Sequence, residues 1–442
     1  MPGKYSVLSV TTLGSLMAAI DSTVVFLAIP AMGRFFGAGV SFLSLVVVAY
    51  LVTSTSTMIP GGNLATKYGK KSFYMLGFAL FTLSSALIAA SPDILFVIAF
   101  RALEGVGAGL LSTSTIPILL DVFPPGERGR AVGINSVSWA VGALAGPVLG
   151  GLLVSFDWRY IFLINVPIGL FALAAGYSRI PRDEGKPGVD VDLYSMAGLL
   201  IFLVPLIMGI SFLYLPWLFF ALAALPVFLV VEHRRPLIPR ALIRNARYDY
   251  IMCASTLQAM AFFGTTYSLS VYLQDDLGVK PLLAGLLLAS YPVASLLANP
   301  LGGYLLDRTR RGAAIMAGGL LLQGGSLAAL AFQLTRFDYM SALLFLAGFG
   351  GSLYWASSST LAIDASGGEH RSLASGALFT VRNIALIISI SAFPVFMAAT
   401  SPGVLLLHAN IHIQDAVMYY LLTAGTLSCL SAAFMLPYRM AP

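Results

Sequence analysis

Apolar residues fall in long blocks separated by short polar breaks along the whole chain. A block of about 20 such residues crosses the ~30 Å hydrocarbon core of a bilayer as one helix. About fourteen blocks qualify: Ser6–Met32, Ser41–Leu64, Ser72–Ser91, Ile94–Leu120, Ala131–Phe156, Tyr160–Tyr177, Leu193–Leu213, Pro216–Val231, Tyr250–Leu273, Pro281–Leu306, Ala313–Leu334, Tyr339–Ile363, Leu373–Met397 and Ile413–Leu436. The eighth is shortest, about 16 residues or ~24 Å. Basic clusters flank the seventh and eighth together, Arg179, Arg182 and Lys186 before them and Arg234, Arg235, Arg240, Arg244 and Arg247 after. If both clusters are cytoplasmic, an even number of crossings lies between them.

Composition agrees with the pattern. Of 442 residues, 58% are hydrophobic and 10% charged, with mean hydropathy +0.88; soluble domains carry about 25% charged residues. The 43 Gly and 23 Pro suit packed transmembrane helices. Cys253 and Cys429 both lie in apolar blocks, which argues against a disulfide, and no Cys/His spacing suits a metal. Asp21 interrupts the first block and no small-residue cleavage site ends it, so no cleavable signal peptide is expected.

The net charge of +6 is a matter of topology rather than of a nucleic-acid partner. With the N-terminus inside, the outer loops receive only Arg34, Arg159, Lys280 and Arg336. Nearly all other basic residues fall inside, a bias of roughly five-fold. Both termini are then cytoplasmic.

The chain also repeats itself. Gly61-Gly62-Asn63-Leu64-Ala65-Thr66-Lys67 resembles Gly302-Gly303-Tyr304-Leu305-Leu306-Asp307-Arg308, and Arg128-Gly129-Arg130-Ala131-Val132-Gly133 resembles Arg371-Ser372-Leu373-Ala374-Ser375-Gly376. Both matches sit at an offset of about 240 residues, as two homologous halves would place them. The expected fold is an all-α integral membrane protein with two pseudo-symmetric six-helix bundles and an inserted helix pair. The expected divisions are residues 1–180, an inserted hairpin at 181–232, a basic cytoplasmic linker at 233–249, and residues 250–442.

Apart from Asp415 at the edge of the last block, only four charged residues fall inside the blocks: Asp21, Arg101, Glu104 and Arg382. A charge at bilayer depth costs at least ~2.5 kcal/mol, which makes each a functional candidate. Helical rise places Asp21 about 5 Å, Glu104 about 3 Å and Arg101 about 7 Å to the same side of the midplane. Arg101 and Glu104, at i, i+3, share a helix face. A carboxylate whose distance from a fixed Arg changes with conformation has the physics of a proton carrier, with Asp21 and Glu104 as carriers and Arg101 as partner. The alternative is a static buried salt bridge. Arg382 and Asn383 either contact substrate or bond a carbonyl of a broken helix. Phe26, Gln258, Phe262, Tyr267 and Trp355 are cavity candidates, although aromatic residues in spans are more often packing.

Gly142, Gly146, Pro147, Gly150 and Gly151 form a small-residue stripe that permits close helix approach and a bend. Gly62, Gly69, Lys70 and Lys71 mark a tight basic turn. Asp307 and Arg308 stand near its repeat.

These stretches together resemble the major facilitator superfamily, in its fourteen-helix drug:proton antiporter branch. Asp21 to Pro30 resembles that branch's helix-one motif, Gly62 to Lys71 the loop two-three motif and Arg101 to Gly109 the helix-four motif. Gly142 to Gly151 resembles the antiporter motif, and Asp157 to Gly169 the branch's helix-six entry. Thr66 stands where the loop motif usually has an acid, Phe26 where Asn is frequent and Glu104 where Gln is common. The resemblance implies a proton-driven exporter of hydrophobic, often cationic compounds in the cell membrane, working by alternating access. It implies a monomer using the proton gradient, with no cofactor, metal or nucleic-acid partner. Export of an endogenous metabolite or lipid is the alternative within transport. A membrane-embedded enzyme or sensor is the alternative outside it, disfavoured because no loop holds a soluble domain and no nucleophile–His pair appears.

Overall fold

In hydrocarbon every backbone N–H and C=O must be satisfied within the chain, so apolar blocks fold as helices. The computed structural model describes residues 3–186, 191, 193–234, 245–309, 311–365, 371–400 and 413–435. Its long helices are α1 Lys4–Phe36, α2 Val40–Tyr68, α3 Lys70–Ala89, α4 Ile94–Val122, α5 Arg128–Val154, α6 Tyr160–Arg179, α7 Leu193–Phe212 and α8 Leu215–Arg234. There follow α9 Ala246–Val271, α10 Pro281–Thr309, α11 Gly312–Ala331, α12 Phe337–Ala365, α13 Arg371–Thr400 and α14 Ile413–Ala433. No strand occurs among the described residues. Breaks at Ile164 and Ala289 interrupt α6 and α10.

Thirteen of these helices are long and apolar enough to cross a membrane. The remaining one, α9, is 26 residues long but rich in polar side chains. Ser255, Gln258, Thr265 and Ser268 are buried, so protein interior rather than lipid receives them. The eighth block proves longer than its apolar core: α8 has 20 residues, about 30 Å. Its helix runs from Leu215 through the polar end at Glu232–Arg234, which the apolar count omitted.

Helix ends follow local chemistry. Gly37, at φ 63°, closes α1 in the left-handed conformation that glycine adopts without strain. Asp93 and Asn245 cap α4 and α9, each accepting backbone N–H bonds two or three residues on.

The chain divides into two compact units, Met1–Arg235 and Pro236–Pro442. In the first, α1 packs on α5, α2 on α4, α3 on α4 and on α6, and α1 on α6. In the second, α9 packs on α13, α10 on α12, α11 on α12 and on α14, and α9 on α14. Each of these pairings among α1–α6 thus recurs eight helices later. A close glycine-to-glycine contact recurs as well. A Cβ on Gly77 would stand 3.0 Å from the Gly107 carbonyl, and one on Gly107 2.8 Å from the Gly77 carbonyl. Gly319 and Gly350 face each other in the same way at 2.5 and 2.4 Å. Backbones that close permit no side chain at either position.

The pair α7–α8 belongs to the first unit, where α7 lies along α2 with Phe212 edge-on to Phe42 at 5.1 Å. Much of α8 is exposed, as suits a lipid-facing helix. The basic linker expected at 233–249 lies mostly outside the described residues.

Candidate functional site

The buried charges of the first unit converge. Helix α2 is drawn onto α4 where Gly105 leaves room: a Cβ there would meet the Tyr50 carbonyl at 2.3 Å, and Thr53 donates to the Ala102 carbonyl at 2.7 Å. This close approach lays the Tyr50 ring against Arg101, with the guanidinium carbon 4.3 Å from the ring centre. It also brings the Val46 carbonyl to Arg101 Nε at 3.1 Å.

Arg101 Nη1 then donates to two carboxylates, Asp21 Oδ2 at 2.8 Å and Glu104 Oε2 at 2.7 Å. All three side chains are wholly buried. The Ser85 hydroxyl from α3 bonds Glu104 Oε1. Asn165, at the break in α6, donates weakly to Asp21 Oδ1 at 3.4 Å and to Ser85 at 3.3 Å. Arg101 Nη2 has no hydrogen-bond partner among the described residues. Taking a guanidinium out of water costs several kcal/mol unless counter-charges compensate. Here the compensation exceeds the need. With both carboxyls ionised the cluster carries −1, and with one proton bound it is neutral.

The two carboxylates are held differently. Glu104 lies on the same helix as Arg101, three residues on, so their pairing survives any rigid movement of α4. Asp21 comes from α1, and its pairing depends on where α1 stands relative to α4.

The small-residue stripe of α5 packs against α1, the helix that carries Asp21. A Cβ on Gly142 would meet Ala19 Cβ and the Leu16 carbonyl, both at 2.7 Å; one on Gly146 would meet Thr23, and one on Gly150 Val24. Pro147 and Gly151 are buried in the same stretch.

In the basic turn, Gly69 takes φ 102° at the start of α3, where only glycine sits unstrained. Asp183, from the chain after α6, accepts from the Lys70 and Lys71 amides at 2.6 and 3.1 Å and so caps α3. Lys70 pairs with Asp121 at the end of α4, and Lys71 donates to the Tyr177 and Ile180 carbonyls, both at 2.7 Å. Thr66 bonds back to the Gly62 carbonyl at 2.8 Å. The lysines therefore tie α3 to α4 and α6 rather than hanging free toward the lipid surface. Gly62 faces open space. In the second unit Asp307 is exposed and Arg308 donates to Tyr304 at 2.7 Å.

The second unit gathers some of the cavity candidates and leaves others apart. Arg382 is buried, with its guanidinium carbon 3.5 Å from the centre of the Trp355 ring. Gln258, one turn from Ser255 on α9, donates to Gln323 at 3.4 Å, and Phe262 stacks on Tyr291 at 3.9 Å. Tyr267 lies further along α9, edge-on to Phe393 at 5.6 Å. Asn383 is half-buried beside Arg382. Phe26 is buried in the first unit.

Sequence reasoning missed Ser85, Asn165 and Tyr50. Asn165 was within reach, since it lies in the Asp157–Gly169 stretch that carried a resemblance. Ser85 and Tyr50 sit in apolar blocks where nothing distinguishes them from ordinary span residues.

Comparison with known proteins agrees with this architecture. A sequence model of the Major Facilitator Superfamily matches residues 11–235 and 251–439. The chain is 30% identical over 325 residues to the riboflavin transporter RibZ of Clostridioides difficile (strain 630), covering 70% of this chain and 69% of that protein. It is 30% identical over 402 residues to the methylenomycin A resistance protein of Bacillus subtilis (strain 168), covering 87% and 86%. Among solved structures, a bacterial homologue of the human lysosomal transporter Spinster, inward-facing and occupied, superposes with TM-score 0.75 at 14% identity, covering 100% of this chain and 98% of that one. That likeness speaks for the fold alone. Built from apolar helices in two units with the same pairing, and matched by the family model in both, this multi-pass membrane protein belongs to the Major Facilitator Superfamily of small-molecule transporters.

Proposed function

We propose that this protein is a proton-coupled exporter of hydrophobic compounds, cations among them, in which Asp21 carries the proton. The observation that supports this is the excess carboxylate on Arg101: the cluster has room for one proton without leaving a charge unbalanced. Glu104 remains with Arg101 when α1 moves, so it serves as the resident counter-ion that lets Asp21 take a proton and leave. The Gly142–Gly151 stripe gives α1 a smooth partner surface along which such movement costs little steric strain. Alternating access between the two units completes the cycle. Family relatives named for antibiotic resistance agree with export, and the one named for riboflavin agrees with an aromatic cargo.

The test is transport in sealed vesicles with an imposed pH gradient. Uphill movement of a lipophilic dye is expected with the gradient and is lost when a protonophore collapses it; movement indifferent to the gradient sinks the reading. In that assay Glu104→Gln keeps its hydrogen-bonding shape and is expected to slow gradient-driven transport without abolishing it. Complete loss there with normal folding moves the carrier role to Glu104.

The membrane is the cytoplasmic membrane, with both termini inside, and the protein acts as a monomer. A tag between Leu213 and Pro216 is expected to react only from outside, and one at Arg182–Lys186 only from inside. Labelling of both from one side removes α7 and α8 as a pair of full crossings.

A further inference from the structure

The two buried guanidinium groups have opposite surroundings. Arg101 faces two carboxylates, whereas Arg382 has none among the described residues. Its Nη2 donates to Ser358 at 2.8 Å and weakly to Ser255 at 3.5 Å, and its Nη1 to Ser359 at 3.4 Å. Its Nε is buried with no hydrogen-bond partner among the described residues. Ser255 in turn exchanges a bond with the Tyr354 hydroxyl at 2.7 Å, and that hydroxyl reaches the Ile251 carbonyl at 3.2 Å.

Guanidinium and hydroxyl groups therefore converge here with no acidic acceptor among them, and Arg382 is only 3% exposed. A buried cation that faces hydroxyls and one aromatic ring, with no counter-charge among the described residues, keeps part of its desolvation cost uncompensated. Helix packing would not need it, since an amide could bond the same serines without that cost. An arriving anion would supply what is lacking. It would take the free Nε–H and the adjacent Nη–H in the two-pronged geometry that a carboxylate fits. The serine and tyrosine hydroxyls can turn to donate to the same anion. Trp355 fixes the guanidinium plane from its face, which leaves the in-plane N–H edge for the ligand.

We propose that Arg382, with Trp355, Ser255, Tyr354, Ser358 and Ser359, is the recognition site for an acidic group of the transported molecule, so that the substrate range includes aromatic organic acids. This rests on the exporter reading and extends it beyond cations. The negative first-unit cluster and the positive second-unit site would then handle proton and substrate charge in separate places.

The test uses two xanthene dyes of similar ring and opposite charge, fluorescein and pyronin Y. Binding is read by fluorescence anisotropy with the purified full chain, and transport by pH-gradient-driven uptake into inverted vesicles. The wild-type chain is expected to bind fluorescein. Arg382→Gln is expected to weaken that binding about 30-fold or more, as loss of one member of a buried charge pair does. Pyronin Y binding changes by less than about two-fold, because the amide still bonds the serines. Arg382→Lys, which keeps the charge and loses the fork, is expected to fall between. No binding of fluorescein by the wild-type chain overturns the proposal. So does an equal loss for both dyes in Arg382→Gln, or a melting temperature lowered enough to account for the loss in that variant while Arg382→Lys binds fluorescein no better than Arg382→Gln. Fluorescein binding that obeys these expectations, with no gradient-driven transport of either dye, would instead overturn the exporter reading and leave the acid site standing.

Discussion

Asp21→Asn is expected to yield a folded protein that binds substrate and exchanges it downhill, yet no longer concentrates it against its gradient. The substitution keeps size and a carbonyl acceptor for Arg101 Nη1, and the Asn165 amide can turn to meet the new amide. Arg101 stays paired with Glu104, so the guanidinium is not left bare. What disappears is the surplus carboxylate and with it the place for a proton. A purely structural role would behave otherwise: with Arg101 still paired to Glu104, the folded variant would keep concentrating substrate against its gradient. The measurement is uphill transport under a pH gradient beside substrate counterflow without one. A well-folded Asp21→Asn chain that still accumulates substrate removes Asp21 from the proton path.

Gly142→Val is expected to destabilise the first unit strongly. A first side-chain carbon there already meets Ala19 Cβ and the Leu16 carbonyl at 2.7 Å, and neither can rotate away. Valine adds two methyl groups to that clash, so α5 must separate from α1 along the stripe. Overpacking of this kind costs about 1–3 kcal/mol and sometimes more. The readouts are yield of monodisperse protein and melting temperature in detergent. Gly142→Ala should be milder, and Ala19→Gly should relieve part of it, since one of the two contacts is then removed. A Gly142→Val chain that melts like wild type would mean the interface yields and the stripe does not set the α1–α5 distance.

Asp21 and the residues that Gly142 meets lie on one helix, α1. Asp21 stands on one face of α1 against α4 and α6, while Ala19, Ile20 and Thr23 meet the glycines of α5. A helix with a titratable group on one side and a side-chain-free neighbour on the other is suited to move when its charge changes. This places the small-residue stripe and the carboxylate in a single device, although more than 120 residues separate them in sequence.

Much of this was legible in the sequence, and for a physical reason. Lipid imposes length and apolarity on every spanning helix, so the helices announced themselves in composition. Burial of charge in hydrocarbon is costly enough that Asp21, Arg101, Glu104 and Arg382 stood out individually, and helical rise sufficed to put the first three at one depth. The i, i+3 spacing of Arg101 and Glu104 fixed their pairing without any knowledge of neighbours. The repeat between halves was visible because turn glycines and basic residues survive where apolar residues interchange.

Only the tertiary structure decided the rest. It was helix packing that brought Tyr50 onto Arg101 through the gap at Gly105, and Ser85 and Asn165 onto the carboxylates. It showed Lys70 and Lys71 of the basic turn engaged with Asp121 and the end of α6, because a lysine's reach leaves its partner undetermined until the helices are placed. It set Gly77 against Gly107 and Gly319 against Gly350, pairs that no periodicity marks among 43 glycines. And it showed that Arg382, like Arg101 a charge inside an apolar block, faces hydroxyls and an aromatic ring among the described residues where Arg101 faces acids. A residue's cost in lipid is a property of its own chemistry and can be read from sequence, whereas its compensation comes from other helices and depends on how they pack.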